Sequence, residues 1–273
     1  MELDEKVLLG KGAEGRVFLG TFAGKKVAIK RVLINTDIAV DPARQRSEEN
    51  TMKALNHPNI LKLIDIQEDR NFKYLILELC LGTIRDYIRK KYTGPMPSEI
   101  DGMIQMARGL QYIHSLNFVH RDIKPENVLI SMSHVLKISD FGICRPVTKS
   151  SQSFSLTSVP TGTRMFNSPE LLQSEDKSPE EKAQIKAYVS TDIFSLGCLF
   201  FSYITMGGHP FAKEQKPNEF LTINNIFKGK KYLGLSKDHY AFSLIDGMTA
   251  VDPAKRWKME QVLETLESQL AKK

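Results

Sequence analysis

Cysteine is scarce in this 273-residue chain, with Cys80, Cys144 and Cys198 odd in number and far apart. Such usage excludes a disulfide framework and a paired-cysteine zinc site, and it suits a reducing, cytoplasmic setting. Also missing is an apolar run of the about 20 residues that a membrane-spanning helix needs. The longest, Phe194 to Met206, carries Ser195, Ser202 and Thr205 and reads as a buried helix. The first residues, Met1 to Lys6, place acid where a secretory signal has base followed by a long apolar core, so no targeting into or across a membrane is expected. Internal repeats and low-complexity tracts are absent too. The net charge is +6, but Lys and Arg are dispersed, with short runs only at Arg89–Lys91 and Lys228–Lys231. Without a basic stripe or aromatic platforms, no direct nucleic-acid binding is expected.

What is present is 41% hydrophobic residues, enough for a substantial core. To about Leu81 the chain alternates short β-like segments with turns: Val7–Leu9, Arg16–Gly20, Lys26–Arg31, Leu61–Ile66 and Tyr74–Leu79. One amphipathic helix interrupts them from about Pro42 to Leu55, with Met52 and Leu55 sharing a face with Glu48. After Gly82 long helices take over, including Thr83 to Tyr92 with Thr83 as N-cap, and Pro97 to Leu116. Residues 173–186 are charged and lose apolar periodicity, as an exposed loop or solvent-facing helix does. The expected architecture is therefore α+β, a small β-rich lobe over residues 1–81 and a larger helical lobe over 82–273.

Several short motifs punctuate this frame. Gly10-Lys11-Gly12-Ala13-Glu14-Gly15 is by itself weak evidence for phosphate binding. A dinucleotide fold needs strand, glycine loop, then helix, whereas Gly15 leads into a second strand, so the loop reads as a hairpin lid whose glycines admit phosphate oxygens to backbone N–H groups. Lys30, in the apolar strand Val27-Ala28-Ile29-Lys30, calls for an acidic partner. Glu48 is favoured because it is in phase with Met52 and Leu55, and Glu49 competes. Further on lie His120-Arg121-Asp122-Ile123-Lys124-Pro125-Glu126-Asn127, then Asp140-Phe141-Gly142, then Ser168-Pro169-Glu170.

The order and spacing of these motifs resemble the protein-kinase signature set, and a two-lobed kinase fold with ATP and Mg²⁺ as cofactors is what that resemblance implies. It casts Asp122 as acceptor of the proton of an attacking hydroxyl, Lys124 as the cation facing the transferring phosphoryl group, and Asn127 with Asp140 as the Mg²⁺ ligands. Lys30 with Glu48 completes the catalytic set. Gly10, Gly12 and Gly15 would cover the phosphates, Val17, Ala28 and Leu129 would sandwich adenine, and the backbone of Glu78-Leu79-Cys80, after Leu77, would bond it. Arg121 would receive a phosphorylated residue of the activation segment. Glu170 with Arg256, and Asp192 at the start of the central helix, are expected as structural supports. Lys124 and Thr163 favour serine or threonine over tyrosine as acceptor.

Local stretches resemble one kinase family more closely, the inositol-requiring kinase/endoribonucleases that sense stress in the unfolded-protein response. They include Lys11–Gly15, Glu78–Cys80, His114–Asp122, Ile130–Met132, Ile138–Cys144, Ser153–Ser155 and Asp192–Ser195. That resemblance implies autophosphorylation between Ser150 and Ser158, with Ser153, Ser155 and Ser158 lining up, although a polar loop of this composition also suits plain flexibility. It also implies a protein substrate or the chain itself as acceptor, a homodimer, and a place at the cytosolic face of a membrane if the chain is an excised domain. The stretch from Trp257 to Lys273 is expected to form one helix carrying Leu263, Leu266 and Leu270 against the large lobe, with no ribonuclease activity. The competing expectation is a nucleotide-operated scaffold whose output is conformational change or dimerisation.

Overall fold

The computed structural model describes residues 1–12, 15–34, 49–147, 153–155, 164–184 and 186–272. A five-stranded antiparallel sheet opens the chain, formed by β1 (Glu2–Gly12), β2 (Gly15–Phe22), β3 (Lys25–Leu33), β4 (Leu63–Glu68) and β5 (Phe72–Glu78) in the spatial order β1-β2-β3-β5-β4. Its side chains alternate between two faces, as the two-residue period of a strand requires. Val27, Ile29 and Ile76 pack under Leu3, Phe22 and Tyr74 on one face. Ala28, Leu75 and Leu77 join the main core on the other, together with Met52 and Leu55. Met52 belongs to α1, described over residues 49–54. Glu48 lies outside the described residues.

β4 begins at Leu63, two residues later than the sequence suggests. Leu61 donates its N–H to Ile138 O at 2.8 Å, and Ile60 bridges to Ile138. The start of that apolar run therefore serves the second lobe rather than the sheet.

Beyond the sheet, β6 (Cys80–Thr83), β8 (Val128–Ser131) and β9 (Leu136–Ile138) form a small sheet in the order β6-β8-β9, while β7 (Phe118–Val119) pairs with β10 (Arg145–Pro146). β11 (Ser153–Ser155) pairs antiparallel with β12 (Lys186–Tyr188). The helices are α2 (Ile84–Ile88), α3 (Glu99–Ser115), α4 (Pro169–Gln173), α5 (Pro179–Gln184), α6 (Ser190–Ile204), α7 (Glu219–Phe227), α8 (Tyr240–Met248) and α9 (Met259–Leu270). Thr83 caps α2 in a capping box with Asp86, as its place in the sequence suggests. The helix nevertheless ends at Ile88 rather than Tyr92, because Lys90 turns to φ 56° and the N–H groups of Lys91 and Tyr92 return to Asp86 O.

α6 is buried on every side from Thr191 to Tyr203, the pattern of a helix at the centre of a lobe. Each large apolar side chain there contributes about 1.5–3 kcal/mol through burial. α9 packs on α3 and α8 through Leu263 and Leu266, whereas Leu270 is exposed, contrary to the helical-spacing expectation. The apolar seam ends one turn early, as α9 outruns the lobe it covers. Together these layers make the two-lobed α+β fold expected from the motifs. Among the described residues no helix is long and apolar enough to cross a membrane.

Candidate active site

The motif residues lie on the five-stranded sheet, on the β6-β8-β9 sheet and in the loop that precedes β8. The glycine-rich segment forms the β1–β2 hairpin, closing at the Gly12–Gly15 pair. Its glycines differ in what demands them. A Cβ at Gly15 would lie 2.3 Å from Arg31 O, so the fold itself excludes a side chain there. A Cβ at Gly12 would meet no atom of the described residues within 4 Å. Open space above a hairpin backbone suits the approach of phosphate oxygens, as the chemistry of a nucleotide lid requires.

Val17 on β2 pairs with Lys30 on β3, and Lys30 pairs in turn with Leu75 on β5. Strand alternation puts Lys30 on the same side as Ala28, which belongs to the main core. Glu49, the competing partner, is engaged elsewhere, accepting from Lys53 Nζ at 2.6 Å and Lys73 Nζ at 2.8 Å. Hydrogen bonds from those two lysines hold its carboxyl below the ordinary range.

The connection from β5 to β6 is fixed at Glu78. Its carboxylate accepts from Lys62 N at 2.7 Å and from Lys137 Nζ at 2.9 Å. Cys80 is half-buried, and its thiol is pushed up to about 12, first by burial and then by the Glu78 charge. It is therefore a neutral contact residue rather than a nucleophile. Leu129, half-buried on β8, pairs with Thr83 and Lys137.

The loop from His120 to Asn127 carries the densest polar network. Lys124 Nζ donates to Asp122 Oδ1 at 2.8 Å and Oδ2 at 2.7 Å. Asn127 Nδ2 donates to Asp122 O and Oδ2, both at 2.8 Å. His120 sets the loop from behind: its Nε2 bonds Ser139 O at 2.9 Å, and its Nδ1 accepts from Asp122 N at 3.2 Å, so the proton sits on Nε2. The ring lies edge-on to the buried Phe141, with centroids 5.3 Å apart.

Asp192, fully buried at the first turn of α6, braces that loop. Its carboxylate accepts the backbone N–H of His120 and of Arg121, each at 2.8 Å, and bonds His114 Nε2 at 2.9 Å. Burial pushes this carboxyl up, but the hydrogen bonds from His114 and the Arg121 N–H outweigh it and hold the group below its ordinary range. Those bonds sustain Arg121 at φ 70°, a conformation that costs a non-glycine residue energy. Asp140 is likewise at φ 64° and is exposed, while Phe141 beside it is buried.

Asn127 and Asp140 offer the hard oxygen donors that suit Mg²⁺, which takes few protein ligands and completes its shell with phosphate and water. The donor chemistry and the open lid at Gly12 thus fit ATP with Mg²⁺. Of the expected phosphosites, Ser153 and Ser155 lie on β11, opposite Tyr188 and Lys186. Ser158 and Thr163 lie outside the described residues.

Downstream, Arg256 clamps Glu170 through two bonds of 2.8 and 3.1 Å and also donates to Ser190 O at 2.8 Å. Ser168 is buried at the N-cap of α4, yet among the described residues its Oγ has no hydrogen-bond partner. Positioning residues that the motifs did not single out are His114, Ser195 and His209. Ser195 Oγ donates to Phe166 O at 2.7 Å, and His209 Nε2 bonds Met165 O at 3.0 Å, so successive carbonyls ahead of Ser168-Pro169-Glu170 are held from the core. His114 and Ser195 fall within the stretches that carry the family resemblance, while His209 shows only as a polar residue beside apolar ones.

Comparison with known proteins agrees with this arrangement. The protein kinase domain model matches residues 3–266. The chain is 34% identical to a serine/threonine-protein kinase/endoribonuclease, ireA, of Aspergillus fumigatus, an alignment covering 92% of the chain and 24% of that relative. It is 35% identical to the serine/threonine-protein kinase/endoribonuclease ire-1 of Caenorhabditis elegans, covering 94% and 26%. It is 31% identical to the maternal embryonic leucine zipper kinase of Danio rerio, covering 94% and 36%. The chain thus spans about a quarter of the length of the first two relatives.

Proposed function

The chain belongs to the protein kinase family over residues 3–266, and on that premise we propose that it is a serine/threonine protein kinase acting through Asp122. The observation that carries the reading is the Asp122 carboxylate, bonded by Lys124 and Asn127 on a loop braced by buried Asp192. Asp122 takes the proton of an incoming serine or threonine hydroxyl. Lys124, bonded to Asp122 at rest, offsets negative charge on the group being transferred. Asn127 and Asp140 hold Mg²⁺, and Lys30 with Glu48 orients the phosphates under Gly10, Gly12 and Gly15. Val17, Ala28 and Leu129 flank the adenine, which the backbone of Glu78 and Cys80 bonds. When bound, Mg²⁺-ATP supplies the phosphoryl group and neutralises charge on its oxygens.

The two lobes meet at residues 81 and 82. The acceptor is a protein, including a second copy of the chain, with Ser153, Ser155 and Ser158 as autophosphorylation positions and a homodimer as the encounter that permits it. A cytoplasmic setting, or the cytosolic face of a membrane, supplies the ATP. The test is incubation of the purified chain with Mg²⁺-ATP and a serine-containing protein, read by mass spectrometry. Phosphate on protein that disappears with Asp122→Asn is the expected result. Nucleotide binding with no phosphate incorporation overturns it in favour of a nucleotide-operated scaffold.

A further inference from the structure

Among the described residues Phe220 is the most exposed large apolar side chain, at 80%, and Leu221 and Phe227 of the same helix are 50% and 44% exposed. At 100° per residue Phe220 and Phe227 lie within about 20° of one line along α7. That line faces away from Thr222 and Ile226, which are buried against the lobe. The helix beneath is firmly seated: Asn218 caps its first turn by accepting from Leu221 N at 3.1 Å, and Asn225 Nδ2 donates to Phe211 O at 3.0 Å. An apolar ridge on a fixed helix adds nothing to the fold it stands on, so it calls for something outside the lobe.

The charge around the ridge identifies that occupant. Exposed lysines stand at both ends of α7, Lys213 and Lys216 before it and Lys228 and Lys230 after it, against the two acids Glu214 and Glu219. The segments that carry the lysines are anchored. Gln215 Nε2 donates to Thr205 O at 2.7 Å, and Lys230 Nζ sits over the Tyr232 ring, 5.3 Å from its centroid. Gly229, at φ 63°, closes the helix, with Lys228 N and Lys230 N returning to Asn224 O and Asn225 O. Two features favour a lipid surface over a protein. Protein interfaces are enriched in arginine and depleted in lysine, whereas all four of these cations are lysines, whose stems snorkel along apolar surface and carry the charge to a headgroup. Phe220 also has almost no protein floor, so a protein partner would have to build the whole pocket, while acyl chains close around a protruding ring without one.

We propose that the outward face of α7 binds the surface of an anionic membrane, with Phe220 and Phe227 inserted among acyl chains and Lys216 and Lys228 on anionic headgroups. The contact is peripheral, and it holds whether or not the chain transfers phosphate. α7 packs against the 3-10 turn Arg164–Phe166, which leads into Ser168-Pro169-Glu170, so a chain held this way has the end of its activation segment beside the membrane. On the kinase reading, copies gathered on one surface meet at a raised effective concentration, and phosphorylation between them accelerates.

The probe is a phosphatidylcholine vesicle, prepared with and without about 30% phosphatidylserine. Co-sedimentation should show the chain on the anionic vesicles and not on the neutral ones, with binding that falls as salt is added. The Phe220→Ser/Phe227→Ser double variant should lower the partition by roughly tenfold or more, at unchanged Tm and unchanged kinetics toward a short serine peptide. Lys228→Ala should lower it about fivefold. Phe220→Trp should retain binding, and brominated acyl chains should quench its fluorescence beyond that of the native chain. Failure of the native chain to bind anionic vesicles overturns the proposal, and so does binding that the double variant retains. A dimer in free solution that the double variant breaks overturns it by assigning the face to a second copy. A raised KM for a soluble protein substrate in the double variant, with no vesicle binding by the native chain, overturns it in favour of a protein partner. If vesicle binding depends on Phe220 and Phe227 but no phosphate is transferred, the kinase reading fails and the membrane site stands.

Discussion

Lys124 donates to both carboxylate oxygens of Asp122, at 2.8 and 2.7 Å, so the proton acceptor and the cation expected at the transferring group begin as an ion pair. Asp122→Asn keeps the shape but loses the basic oxygen. Phosphate incorporation should fall by about 10²–10⁴, the usual worth of a general base, while nucleotide affinity stays within about threefold because Asp122 faces the acceptor hydroxyl. Asp140→Asn, which would remove the charged ligand of the proposed Mg²⁺ site, should instead weaken Mg²⁺-dependent nucleotide binding. Nucleotide titrations of the two variants with and without Mg²⁺ check this, and equal affinity loss in both contradicts the division of roles.

His209 provides a pH signature. It is fully buried, its Nδ1 accepts from Phe211 N at 3.3 Å and its Nε2 bonds Met165 O. Burial pushes its imidazole down to about 4, against the pull of the Met165 hydrogen bond. Its folded pKa is depressed below the ordinary value of about 6.5, so between those values the unfolded chain binds more protons than the folded one. Stability is therefore complete above about pH 6.5 and declines as pH falls toward 4, by roughly 3 kcal/mol for this group. Urea unfolding at pH 7.5 and 5 measures the slope. A His209→Gln variant that retains the whole slope would assign it elsewhere. Asp192, whose carboxyl is held low, acts in the same direction but only below about pH 4.

Ser168 precedes Pro169 and Glu170 at the N-cap of α4. Buried with an unbonded Oγ, it carries a desolvation cost. Ser168→Ala should raise stability by about 1 kcal/mol, seen as a rise of roughly 2–4 °C in Tm. A lowered Tm would mean that the hydroxyl finds a partner in solution.

The legible parts of this molecule are those whose chemistry is contiguous in sequence. The loop from His120 to Asn127 could be picked out because Asp122, Lys124 and Asn127 lie within a few residues of one another, whereas the brace at Asp192 and the Glu170–Arg256 clamp, which join residues 71 and 86 positions apart, are expected only from the family resemblance. Other features depend on partners far along the chain. β4 starts late because Leu61 answers to Ile138, 77 residues away. α2 stops short because the Lys91 and Tyr92 N–H groups fold back onto Asp86, and Leu270 is exposed because the lobe ends beneath it. His209 is silent in the sequence for the same reason: a histidine reveals its role only through what it touches, here Met165 O. The pairing of Lys30 with Glu48 rests on Glu48, which lies outside the described residues.

Gly12 and Gly15 look equivalent in the sequence, and the structure separates them. At Gly15 a Cβ would sit 2.3 Å from Arg31 O, a backbone atom that cannot swing aside. Gly15→Ala should therefore distort the β2–β3 pairing and destabilise the chain by about 1–3 kcal/mol, the range for an overpacked site. At Gly12 no atom of the described residues lies within 4 Å of such a Cβ, and the residue is not at positive φ, so alanine meets no steric or backbone penalty from them. Gly12→Ala should leave Tm within about 1 °C while weakening ATP binding several-fold, because its methyl group would occupy space that phosphate oxygens need. Thermal melts and nucleotide titrations on the two variants provide the test. Should Gly12→Ala bind ATP as tightly as the native chain, the hairpin does not cover the phosphates and the lid assignment is wrong.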